Sequence, residues 1–208
     1  MNNPLSTALG FLNRYFAQDP DDSLPLTEEW GPSYDADLIE YGYQSHYRTA
    51  KALSQFAEDK ALPLLDLGCG TGLSAEALTE AGFTTIDGVD RSETMLAEAR
   101  KKPFFRNLIQ TDFTSDFNID GQWDYVTAIG VITPHHAPPA TIVRTMELVK
   151  PGGLFAFTQN DLTMKHHAYL AQINNLIDGG RAELLFREHG PHLTGLDMGA
   201  DVYVMRKR

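Results

Sequence analysis

Leu62-Pro63-Leu64-Leu65-Asp66-Leu67-Gly68-Cys69-Gly70-Thr71-Gly72 is the stretch whose reading decides the fold. A short apolar run ends in an acid, three glycines follow on alternate positions, and residues 74–81 then take helical spacing. This order predicts a buried strand, a tight turn and a helix. Gly68 and Gly70 suit positive φ and let the backbone approach a ligand, while Gly72 lets the helix pack close to the strand. A turn at a helix N-terminus also presents backbone N–H groups to a carboxylate or phosphate.

Outward from this turn the pattern repeats. Strands are predicted at residues 85–89, 107–111, 125–129 and 153–158, with a helix from Ser92 to about 101 and another ending near 149. Ser92 is the predicted cap of its helix. Pro134, Pro138 and Pro139 mark a loop after the fourth strand, and Lys150-Pro151-Gly152 a turn before the fifth. A helix at 165–177 leads to two last strands near 182–187 and 201–206, joined without a helix, so they form an antiparallel edge hairpin. The alternation specifies an α/β fold, a parallel sheet with helices on both faces. Upstream, a helix at 7–18 gathers Leu9, Leu12, Tyr15 and Phe16 on one face. The acidic, proline-bearing stretch 19–30 separates it from a long helix at 37–58. The 208 residues read as one domain, with residues 1–61 as a helical cap or lid. Residues 62–160 form the cofactor-binding core, and 161–208 a helix and strand hairpin.

In such a sheet, ligands bind beyond the carboxyl ends of the strands where the strand order reverses. The spacing G-x-G-x-G differs from the G-x-G-x-x-G of a pyrophosphate site, which disfavours a nicotinamide-dependent dehydrogenase. An acid ahead of the glycines suits a ligand that carries both an amino group and a carboxylate. Asp90 ends the second strand, 22 residues after Gly68, and is placed to accept from two ribose hydroxyls. Asp112 ends the third, placed to accept from an exocyclic amine, with Met95 and Phe113 as apolar cover for a ring. Cys69 has no second thiol or metal-like spacing and reads as a small filler within the turn.

Leu64 to Gly72, Gly88-Val89-Asp90, Thr111-Asp112-Phe113 and Val149-Lys150-Pro151-Gly152-Gly153 together resemble the class I S-adenosylmethionine-dependent methyltransferase superfamily. The likeness covers about residues 62–158. It implies a Rossmann-like, seven-stranded, mostly parallel sheet with a last antiparallel strand. It also implies S-adenosylmethionine as cofactor, released as S-adenosylhomocysteine. The implied cradle comprises Asp66, Gly68, Cys69, Gly70 and Gly72 in the turn, with Asp90, Arg91 and Met95 after strand two. Thr111, Asp112 and Phe113 follow strand three, Ile129 follows strand four, and Tyr43 approaches from the N-terminal side. Trp30, Tyr34-Asp35-x-Asp37-Leu38, Gly42-Tyr43, Gly130-Val131 and His136-x-Pro138 resemble, more narrowly, the methyltransferase-like proteins of the Williams–Beuren region and their bacterial relatives.

Methyl transfer from a sulfonium by in-line displacement needs alignment and exclusion of water more than a catalytic dyad. His136 and His135, in the loop after strand four, are the candidate bases, and His136 holds the subgroup position. Tyr34, with Tyr43 and Tyr47, is a candidate lid whose aromatic faces attract positive charge. His166 and His167 start a helix without matching acids or cysteines, so no metal is expected.

The net charge of −11, with its one dense basic cluster at Arg206-Lys207-Arg208, argues against nucleic acid and for a small-molecule acceptor. One cysteine, no signal-like N-terminus and no long apolar run point to a cytoplasmic protein without a membrane segment. The alternative reading is a non-catalytic S-adenosylmethionine-binding sensor or partner protein.

Overall fold

β1 (Leu64–Leu67) is buried at all four positions, and the rest of the sheet is built outward from it. The computed structural model describes Gly10, Leu12, Arg14, Tyr15, residues 23–115 and residues 117–208. Parallel to β1 on one side run β2 (Ile86–Asp90) and then β3 (Phe105–Gln110). On the other side lie β4 (Trp123–Ala128) and β5 (Val149–Asn160), also parallel. β7 (Met198–Lys207) pairs antiparallel with β5, and β6 (Ala182–Leu193) pairs antiparallel with β7. The order β3-β2-β1-β4-β5-β7-β6 reverses direction between β1 and β4. This is the seven-stranded, mostly parallel Rossmann-like sheet expected of the sequence, and its switch point is where ligands bind in such folds.

Side-chain alternation explains why both faces are covered. Leu64, Ile86, Tyr125, Leu154 and Ala156 point to one face. There they meet Ala50 and Leu53 of α3 (Ser45–Ser54) and Ala75 and Leu78 of α4 (Leu73–Glu80). Leu65, Val89, Val126, Phe155 and Phe157 point to the other, against Ile142 and Met146 of α6 (Ala140–Glu147) and Ile173 of α7 (His167–Asp178). Each fully buried leucine or phenylalanine there contributes about 1.5–3 kcal/mol. The remaining layer is α5 (Glu93–Ala99), where Ser92 Oγ accepts from Met95 N at 3.1 Å, the predicted cap.

Three expectations are corrected. The stretch 19–30 is not only a separator, because α1 (Ser23–Trp30) forms within it. The helix at 37–58 is two, α2 (Tyr34–Glu40) and α3, broken where Gly42 takes φ +68° and Tyr43 bridges to Leu193. The last two strands are longer than the six residues each expected, because the charged run Arg187-Glu188-His189 continues β6 along the sheet edge, where charge is tolerated. In the helix predicted at 7–18, Gly10, Leu12, Arg14 and Tyr15 are helical, while Leu9 and Phe16 lie outside the described residues. No helix among the described residues is long and apolar enough to cross a membrane.

Candidate functional site

Asp66, one residue before the end of β1, is 1% exposed. Its Oδ1 accepts from Thr127 Oγ1 of β4 at 2.7 Å, and its Oδ2 accepts from Ser74 Oγ of α4. Burial raises its carboxyl to about 6 against the opposing bonds from Ser74 and Thr127. The group therefore ties β1 to the helix and strand beside it, and it does not line the crevice above.

The glycine turn closes on β2. Gly68 N and Cys69 N both donate to Val89 O, at 2.8 and 3.0 Å, and Gly70 N donates to Asp90 Oδ2 at 2.9 Å. Asp90 Oδ1 accepts from Ser92 N at 2.9 Å. Burial raises the Asp90 carboxyl, and these backbone donors oppose the rise. The N–H groups expected to be free for a ligand carboxylate are thus largely spent within the turn, since Gly72 N also donates, to Cys69 O at 3.0 Å. Gly68 has φ +69°, and a Cβ there would strike Val131 Cγ2 at 2.4 Å. Gly70 has φ +54° with nothing within 4 Å of an added Cβ, so it is an open floor for a ligand.

Above the floor lies a crevice lined by Gly68, Gly70, Asp90 and Arg91, with Met95, Phe113, Ile129 and Val131 as apolar walls. Tyr15, Trp30 and Tyr34 roof it, and His136 closes one end. The roof is tied down. Trp30 Nε1 donates to Asp37 Oδ2 at 2.8 Å, Thr71 Oγ1 donates to Asp35, and Glu28 accepts from Thr94 of α5. The crevice measures about 60 Å³. A pocket for a drug-sized ligand is roughly 300 Å³ or more. A carboxylate beside the open Gly70 and four apolar walls suits an adenosyl ligand in chemistry. In volume the crevice as it stands is smaller than such a ligand.

The crevice does not gather every expected residue. Asp112 is exposed, and both its oxygens are taken by its own turn, from Thr114 N at 2.7 Å and Ser115 Oγ at 2.7 Å. Burial would raise its carboxyl, but these bonds outweigh it and hold it at about 2. Thr111 N donates to Asp90 O, which fixes strand register rather than the crevice wall. Cys69 is buried with its thiol pushed upward by burial, and its Sγ lies 2.8 Å from where a Cβ on Gly88 would be. Gly72, at φ +93°, starts α4 and faces Phe105. His136 stands 5.1 Å, ring to ring, from Tyr15, and burial, then Arg91 and His135, push its pKa down to about 3. His135 is also lowered, by burial first and His166 second. Both imidazoles are neutral at pH 7, with less proton affinity than a free histidine.

A second chamber of about 50 Å³ shares Tyr15, Trp30, Tyr34 and Gly130 with the first. Tyr43 faces this chamber, as do Thr133, Asn160 and His192. Asn160 and His192 carry no sequence signal, because neither sits near a motif. Gly130, Val131 and Trp30 were visible only through the narrower likeness. Among the described residues, no group of three or more His, Cys, Asp or Glu is placed to hold a metal ion.

Residues 41–198 match the family model of the methyltransferase domain, more than half of the chain. The chain belongs to the methyltransferase domain family. The chain is 29% identical over 144 residues to methyltransferase-like protein 27 of Homo sapiens, covering 65% of this chain and 56% of that protein. It is 33% identical over 99 residues to a ubiquinone biosynthesis O-methyltransferase of Pseudomonas aeruginosa, covering 43% of this chain and 40% of the other. The chain thus spans about half the length of the curated relatives it matches. In fold it is similar to a magnesium protoporphyrin IX methyltransferase of Synechocystis solved with bound S-adenosylmethionine. The TM-score is 0.63 at 17% identity, over 90% of this chain and 98% of that one.

Proposed function

We propose that this methyltransferase moves a methyl group from S-adenosylmethionine to a small-molecule acceptor by in-line displacement. The observation that carries the reading is the Asp90 carboxylate beside Gly68 and Gly70 at the switch point of the sheet. When bound, the cofactor supplies an electrophilic methyl group on a sulfonium. The chain's own residues hold and screen it. Asp90 faces the ribose hydroxyls, Met95, Phe113 and Ile129 cover the adenine, and Gly70 gives the amino-acid end a path. Arg91 flanks the same crevice. Tyr15, Trp30 and Tyr34 close over the reacting groups and exclude water.

A small acceptor is supported by the net charge of −11, which disfavours a polyanion, and by the closed volume of the two chambers. Likeness to an O-methyltransferase of ubiquinone biosynthesis supports the same reading. Neutral His136 at the crevice end serves as a hydrogen-bonding or proton-accepting group for the acceptor. Incubation with methyl-labelled S-adenosylmethionine and a metabolite extract should label a low-mass product. Label found only in macromolecules, or no transfer across varied extracts, would overturn the reading.

A further inference from the structure

The second chamber has a polar end that the cofactor reading leaves unused. His192, at 6% exposure, is held by Ser45, whose Oγ lies 2.7 Å from Nδ1. Ser45 is fully buried and has no other acceptor for its hydroxyl proton among the described residues. The proton is therefore donated to Nδ1, and the imidazole carries its own hydrogen on Nε2. Burial pushes His192 down to about 4, against Asp161, so the ring is uncharged at neutral pH. No described residue bonds Nε2.

Tyr43 supplies the second group. Its hydroxyl is 3.2 Å from the position a Cβ on Gly130 would take, and Gly130 lines both chambers. That hydroxyl therefore sits where the chambers meet. The ring is T-shaped to His192 at 5.4 Å, and both residues line this chamber. The remaining walls are Leu12, Leu38 and Leu193, the uncharged polar Thr133 and Asn160, Gly130 and the shared aromatic roof, and no Lys, Arg, Asp or Glu lines the chamber among the described residues. An anionic group would be buried there without a counter-charge, which disfavours it.

Building on the methyl-transfer reading, we infer that this chamber is the acceptor subsite for a flat, uncharged phenol. Its oxygen accepts from His192 Nε2–H and donates to the Tyr43 hydroxyl at the Gly130 junction. A phenol matches this pair, because one oxygen both accepts and donates. The junction places that oxygen at the boundary with the cofactor crevice, and the common roof lifts for both ligands.

The test is histidine side-chain nitrogen NMR of the full chain, with and without S-adenosylhomocysteine, titrated with phenol and separately with benzoate. Phenol should shift the His192 Nε2 resonance saturably, and benzoate should not. His192→Phe and Tyr43→Phe should each lose about tenfold in phenol affinity. His192→Phe should keep S-adenosylhomocysteine affinity within twofold, measured by calorimetry. No phenol shift at His192 in either state, equal competition by benzoate, or intact phenol affinity in Tyr43→Phe would overturn the assignment. Absence of S-adenosylhomocysteine binding in the unmodified chain counts instead against the methyl-transfer reading.

Discussion

The Asp90 carboxylate accepts the backbone N–H of Gly70 at 2.9 Å, joining the tip of β2 to the turn after β1. One residue thus shapes the floor of the crevice and presents charge to it. Asp90→Ala should weaken S-adenosylhomocysteine binding by about 1–3 kcal/mol, measured by calorimetry. Asp112→Ala should leave affinity within a few tenths of a kcal/mol, because that carboxylate serves its own turn. Equal losses in the two variants would place the adenine edge back at Asp112.

Gly68 and Gly70 should respond differently to alanine. Gly68→Ala drives a methyl group into Val131 and Phe113 at a positive φ, so it should unfold at lower temperature by several degrees. Gly70→Ala meets no neighbour and carries only the strain of φ +54°. Its cost should be the smaller one in a thermal melt. The reverse order would show that the wall behind Gly68 yields more readily than its buried contacts suggest.

Asp66 gives the chain a measurable dependence on pH. Its folded pKa, near 6, lies above the ordinary aspartate value of 3.8, so the folded state binds more protons between those values. Stability from this group is complete below about pH 3.8 and is lost as pH rises through about 6. The difference approaches about 3 kcal/mol. Asp66→Asn should remove this fall. Denaturant melts of both chains from pH 4 to 7 would show the difference narrowing as pH drops. A flat difference would contradict the burial assigned to Asp66.

The roof should move when ligand enters. The chain has two tryptophans, Trp30 in the roof and Trp123 bonded to Asp87 far from it. In Trp123→Phe, only Trp30 emits, and S-adenosylhomocysteine should change its fluorescence saturably. An unchanged spectrum at full occupancy would mean that ligand enters without disturbing Tyr15, Trp30 and Tyr34.

The sequence carried the sheet because Leu64 to Gly72, Val89-Asp90 and the later strands place short apolar runs between turn residues, and that pattern is local. It carried the cap on α5 for the same reason, in Ser92. It carried the helix break at Gly42 less well. The long apolar spacing hid a single glycine at positive φ that is pinned by the Tyr43–Leu193 bridge, a contact 150 residues away in sequence. The site was half legible. Asp90, Gly68, Gly70, Met95, Phe113 and His136 do line one crevice. Asp66 and Asp112 were read as facing the ligand because they sit at strand tips. Their direction depends on Ser74, Thr127, Thr114 and Ser115, partners that spacing does not reveal. His192 was invisible, since its role comes from Ser45 and Gly130 across the fold.

The central claim is that the crevice at the β1–β2–β4 tips takes an adenosyl ligand. Calorimetric titration of the full chain with S-adenosylhomocysteine, run beside NAD, tests it most directly. Saturable binding at one site per chain, with NAD much weaker, is the expected result. No heat from S-adenosylhomocysteine, or tighter binding of NAD, would contradict the account.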